Sequence, residues 1–263
     1  MESFHRVHPS EWIHPNPETA MSVISSQYIQ RITLLRDKVE SFARYPFSLP
    51  AIRSFDSLDL HPKVTFFVGE NGSGKSTLLE AIAVAMGFNA EGGSKNFNFG
   101  THSSHSELHE CLRIAKGYKR HRDGFFLRAE SFFNVATQIE DLGVTPSYGG
   151  RSLHEQSHGE SFMALLKNRF GGQGLYILDE PEAALSPTRQ LAALSRIHEL
   201  VLADSQFIIA THSPMLMAYP DANIFLCSDK GISQVAYEDT EHFKITRDFL
   251  AHHQHVMRAL MAP

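Results

Sequence analysis

The chain has 263 residues, 42% hydrophobic and 20% charged, with 24 Lys+Arg against 29 Asp+Glu and a formal charge of -5. That length holds one large domain or two small ones with a sizeable core, and two cysteines, Cys111 and Cys227, exclude a disulfide framework. The acidic balance excludes a protein coating nucleic acid with its whole surface, and without a long apolar run no direct membrane insertion or leader is expected, so the expected location is cytoplasmic.

Residues 1–20 carry Pro9, Pro15 and Pro17 and read as an N-terminal arm. Residues 28–35 (YIQRITLL) alternate like a strand, while Pro46 and Pro50 limit residues 45–52 to a short or edge strand. Residues 64–68 (VTFFV) form a continuous apolar run, the mark of a strand buried on both faces. A helix is expected over 77–86. Residues 87–124 are rich in Gly, Ser, Asn and His and read as a surface insertion, within an inserted helical and loop subdomain at 88–170. A strand is expected at 125–129 and an amphipathic helix at 160–170. Two buried strands at 175–178 and 207–210 flank a helix over 187–203. Residues 223–227 and 232–236 read as a hairpin, and 239–260 as a last helix with Phe249, Leu250, Val256, Met257 and Leu260 near one face. Strands alternating with helices make the chain α/β, with a mainly parallel sheet flanked by helices and an antiparallel N-terminal portion.

Gly69, Glu70, Asn71, Gly72, Ser73, Gly74, Lys75, Ser76 and Thr77 fit G-x-x-x-x-G-K-[ST] between a buried strand and a helix. Glycines let the backbone curl so that successive N–H groups converge on a phosphate. The helix N-terminus adds partial positive charge. Lys75 is expected to reach the β- and γ-phosphates of ATP, and Ser76 to hold Mg²⁺.

Residues 175–182 (LYILDEPE) place two carboxylates at the end of a buried strand. Asp179 is the expected Mg²⁺ ligand, and Glu180 stands where a general base for an attacking water would sit. Read alone, this is also an ordinary strand-to-loop turn.

These motifs, followed by residues 207–214 (FIIATHSP), resemble an ABC-type ATPase of the RecF-like, SMC-like and OLD-like branch, and a small bacterial predicted ATPase in particular. The resemblance implies a single P-loop NTPase domain over 1–263 that binds and hydrolyses ATP with Mg²⁺. It implies that His212 contacts the γ-phosphate. Ser157-His158-Gly159-Glu160-Ser161 occupies the place of the family signature, with His158 where its first glycine would be. By resemblance, Ser157 and Gly159 bind ATP held by a second subunit, so an ATP-dependent head-to-tail homodimer is expected, with Ser186 as a cross-subunit contact. The family's Gln after a middle strand is not evident; Glu130 is the candidate that replaces it at the metal. Phe42, Tyr45 and Phe55 are candidates for stacking on adenine, each also able to serve in the core.

Within 113–128 the cations Arg113, Lys116, Lys119, Arg120, Arg122 and Arg128 cluster beside Phe125 and Phe126, a surface for DNA or a protein partner. His102, His105, His109 and Cys111 have metal-compatible spacing but read as a solvated loop. The resulting expectation is an ATP-driven switch or motor, in DNA repair or phage defence; the alternative is the energy-coupling subunit of a membrane transporter.

Overall fold

A computed structural model describes residues 27–94, 106–128, 136–137, 139–140, 152 and 154–262. Its strands are β1 (Ile29–Leu34), β2 (Ser57–Asp59), β3 (Val64–Val68), β4 (Leu112–Lys116), β5 (Asp123–Arg128), β6 (Gly174–Asp179), β7 (Gln206–Ala210), β8 (Ala222–Ser228) and β9 (Gly231–Gln234). The runs without a polar face become the middle of the larger sheet: β3, β6 and β7 are buried along their whole length. That sheet has the order β5-β6-β7-β3-β8-β9, parallel throughout except for β9, which pairs antiparallel with β8. A smaller antiparallel sheet, β2-β1-β4, makes the N-terminal portion.

The helices are α1 (Pro50–Ser54), α2 (Lys75–Ala85), α3 (His158–Ala164), α4 (Pro187–Leu202), α5 (Pro214–Met217) and α6 (Glu241–Leu260). Strand side chains alternate between faces, and two cores result. Phe66, Leu178 and Ile209 join Phe162 of α3 and Ile197 of α4 on one side. Phe67, Ile177 and Ile208 join Leu78 and Ile82 of α2 and the small sheet on the other. Buried Gln206 locks the two sheets together. Its Oε1 accepts from the N–H groups of Tyr28 and Ile29, and its Nε2 donates to the carbonyls of Ile29 and His61. All four of its hydrogen-bonding positions are thereby used.

The structure differs from the sequence expectation in three places. Residues 45–52 form no strand; Pro50 instead opens α1 at its first position, where a missing N–H costs nothing. Residues 87–124 do not form a surface insertion throughout, because β4 pairs with β1 and Leu108, Cys111 and Leu112 are buried. The helix expected over 160–170 is regular only in α3 and continues as a wider π turn from Leu165 to Arg169. The last helix forms as expected, as α6, with no residue buried, so its apolar stripe does not enter the core. No helix among the described residues is long and apolar enough to cross a membrane.

Candidate phosphate-binding and catalytic site

The site is built on the C-terminal ends of three neighbouring strands, β6, β7 and β3, where open α/β sheets bind ligands. Gly69 leaves β3 with φ +139°, and a Cβ there would lie 2.0 Å from the carbonyl oxygen of Cys227 on β8. Only glycine fits. Gly74, at φ 98°, caps α2 in the left-handed region that favours glycine. Buried Lys75 donates from Nζ to the carbonyls of Gly69 and Glu70, both at 2.8 Å, and burial lowers its pKa. The loop also borders a cavity of about 580 Å³, walled by Pro50, β8 and the first turn of α6. Ser73 Oγ is buried there without a hydrogen-bond partner. A loop closed to a side chain at Gly69 and an orphaned buried hydroxyl fit a polyphosphate.

Ser76 Oγ donates to Asp179 Oδ1 at 3.0 Å. These are hard oxygen donors of the type Mg²⁺ takes, with phosphate and water completing its shell. Burial raises the pKa of Asp179 to about 6, against the lowering effects of the Ser76 hydrogen bond and the Arg128 charge. Its folded value thus exceeds that of an unfolded aspartate, about 4, and the folded state holds this proton more tightly. Stability is lost as pH rises from about 4 to about 6, and the whole cost remains above that. Nucleotide-free Asp179→Asn is therefore expected to be more stable than wild type at pH 8 by on the order of 2–3 kcal/mol. Its amide oxygen can still accept from Ser76. Urea unfolding at pH 4 and pH 8 checks this, and an Asn variant less stable at pH 8 would overturn it.

Glu180 follows in the left-handed region, at φ 51° and ψ 50°, a conformation that costs a non-glycine residue on the order of 1–3 kcal/mol. Its N–H donates to the Ala210 carbonyl at 3.0 Å, and Pro181 fixes the following turn. This geometry brings Glu180 Oε1 to 3.4 Å from His212 Nε2. The His212 N–H is accepted by Glu182 Oε1, and His212 Nδ1 lies 3.2 Å from Nε2 of His242 on α6. His212 Nε2 is buried with no hydrogen-bond partner.

Ser157 caps α3 with a reciprocal capping box: its hydroxyl accepts from Glu160 N, and Glu160 Oε2 accepts from Ser157 N at 3.0 Å. Gly159 is required by packing, since a Cβ would sit 2.5 Å from Arg189 Nη1 and 2.6 Å from the Ala184 carbonyl. His158 lies beside Asp179 and Glu180 along a small cavity of about 110 Å³.

The structure thus brings together Lys75, Ser76, Asp179, Glu180 and His212. Ser186 caps α4, accepting from Arg189 N. Glu130 lies outside the described residues. Of the aromatic candidates, Phe55 is buried in the core and Phe42 packs against Phe47, whereas Tyr45 is 65% exposed with its hydroxyl 3.2 Å from Thr77 Oγ1. His102 and His105 also lie outside the described residues, and His109 Nδ1 bonds the Ser106 carbonyl. Sequence reasoning missed Glu182, Arg189 and His242; only the proximity of Glu182 to the acidic strand end could have pointed to one of them.

Residues 47–141 match a family model described as an AAA domain. The matched segment, about a third of the chain, contains the phosphate loop Gly69–Thr77, and there the chain is similar to P-loop ATPases. A stretch of 26 residues of the chain is 69% identical to the DNA replication and repair protein RecF of Colwellia psychrerythraea, covering 10% of this chain and 7% of that protein. Among solved structures, the SMC head domain from Thermotoga maritima is 16% identical with a TM-score of 0.42, over 80% of this chain and 98% of that one. The cbiO1 component of the Clostridium perfringens cbiONQ transporter complex is 19% identical with a TM-score of 0.46, over 88% and 99%.

Proposed function

We propose that the chain is an ATPase that hydrolyses Mg·ATP in a composite site between two copies arranged head to tail. The observation that carries this reading is the convergence of Lys75, Ser76, Asp179, Glu180 and His212 on one edge of the sheet. Gly69, Asn71, Gly72, Ser73, Gly74 and Thr77 supply the backbone cradle, and Lys75 meets the β- and γ-phosphates. Ser76 and Asp179 hold Mg²⁺, which offsets phosphate charge when bound. Glu180 takes the proton of the attacking water, and His212 offers Nε2–H to the γ-phosphate. Ser157, exposed at the head of α3, and Gly159 close the site from the other copy. Tyr45 supports the base, the role its exposed ring beside Thr77 leaves open.

The partner reading is a nucleic acid. Of the basic run, Lys116, Lys119, Arg120 and Arg122 line a cleft of about 650 Å³ at the opposite edge of the sheet, near exposed Tyr118. Arg128 does not join them; it pairs with Glu80 at 2.7 Å. Asp123 of the cleft is already held by Arg169 and the Tyr176 hydroxyl. A concave cation cluster with an aromatic suits a phosphate backbone, and the short match to a DNA repair protein agrees with it.

Light-scattering mass of Glu180→Gln with Mg·ATP tests both parts. A dimer that forms only with nucleotide, and binds duplex DNA at low salt but not at high salt, is the expected result. An ATP-bound monomer would overturn the homodimer and direct the search to another protein opposite the site, such as a transporter's membrane subunit. A dimer indifferent to DNA would overturn the nucleic-acid reading.

A further inference from the structure

We infer that His242, on the first turn of α6, is a positioning residue that holds His212 in the tautomer needed at the γ-phosphate. The inference rests on the catalytic reading of His212 given above. The two rings meet through His212 Nδ1 and His242 Nε2, 3.2 Å apart, so one nitrogen donates and the other accepts. Two neutral arrangements satisfy that bond.

In one, His212 carries its proton on Nδ1 and donates to His242. Its bare Nε2 would then face the Glu180 carboxylate at 3.4 Å, lone pair against negative charge. The His242 proton would sit on Nδ1, which is buried without a partner. In the other, His242 Nε2–H donates to His212 Nδ1. His212 then presents Nε2–H toward Glu180, and His242 Nδ1 is left as an unpaired acceptor. Buried donors without partners are rarer than buried acceptors without partners, and the carboxylate attracts rather than repels. The second arrangement wins on both counts, and one nitrogen's hydrogen bond thereby sets the protonation of the other.

The surroundings keep His242 in the neutral form this requires. Burial, His212 and Lys75 lower its pKa, against the raising effects of Glu241 and Glu70. The ring is also anchored. Buried Thr240 caps α6, accepting from Phe243 N and donating to the Tyr237 carbonyl. The Tyr237 hydroxyl in turn donates to the Pro214 carbonyl, two residues beyond His212.

Two variants of the full chain separate the donor from the ring. His242→Phe keeps the packing and loses the N–H; His242→Gln keeps a donor near the position of Nε2. Two readouts apply: steady-state Mg·ATP hydrolysis, and the His212 tautomer in the ¹⁵N-labelled nucleotide-free protein by long-range ¹H–¹⁵N correlation, assigned with His212→Asn. Expected for His242→Phe is a kcat lower by about tenfold, the worth of one hydrogen bond. KM for ATP should change little, and Gln should restore most of the rate. His212 should be protonated on Nε2 in wild type and Gln, with that preference weakened in Phe. Wild-type kcat and an unchanged tautomer in Phe would overturn the inference. A wild-type protein that does not hydrolyse ATP would overturn the catalytic reading instead, while the tautomer measurement would still judge the His242 contact.

Discussion

Glu180→Gln should bind Mg·ATP as wild type does and turn it over roughly 10²–10⁴ times more slowly, the usual contribution of a positioned base. The substitution changes little except proton acceptance. Gln has the same shape, and its carbonyl oxygen can receive the His212 Nε2–H that faces Glu180 Oε1. The backbone N–H bond to Ala210 and the Pro181 turn that hold residue 180 in its left-handed conformation do not involve the side chain. Phosphate release under saturating nucleotide, beside a direct binding titration, separates the two quantities. Turnover at the wild-type rate would remove Glu180 from the base role and leave Glu182, whose Oε2 is buried without a partner, as the next carboxylate to test.

Lys75→Ala should act earlier, on binding itself. The ammonium is buried and donates to two loop carbonyls, so it is poised to exchange them for phosphate oxygens. Charge-assisted hydrogen bonds contribute about 1.5–3 kcal/mol each, so losing two should weaken ATP binding by at least about a hundredfold. Folding should suffer little, because removing a desolvated cation offsets the loss of its bonds to the loop. Titration calorimetry with ATP, alongside thermal unfolding of the nucleotide-free protein, measures both. Unchanged affinity would overturn the assignment of the phosphate loop.

What the sequence makes legible follows from which constraints are local. β3, β6 and β7 read clearly because strands buried on both faces need unbroken apolar runs, and the loop reads clearly because consecutive residues build it. Pro50 misleads because a proline that excludes a strand interior also suits the start of a helix, and the chain here takes the helix. β4 hides because its register with β1 buries Leu112 and half-buries Ile114 while leaving Arg113, Ala115 and Lys116 exposed, which disguises a strand as a polar stretch. His242 is invisible for another reason. It reaches His212 from 30 positions along the chain, across β8 and β9, and no spacing rule joins residues that only the fold brings together.

The contact between Gly69 and the Cys227 carbonyl also has a chemical reading. The strand that braces the phosphate loop carries a thiol that burial pushes up to about 12, and Cys111 is likewise buried and raised. Neither sulfur is a thiolate at neutral pH or open to reagents in the folded chain. Alkylation of Cys227 must therefore wait for β8 and the loop to part. The rate of that labelling is a clock for the opening of the nucleotide site's floor, read from a residue already in place and without an introduced probe.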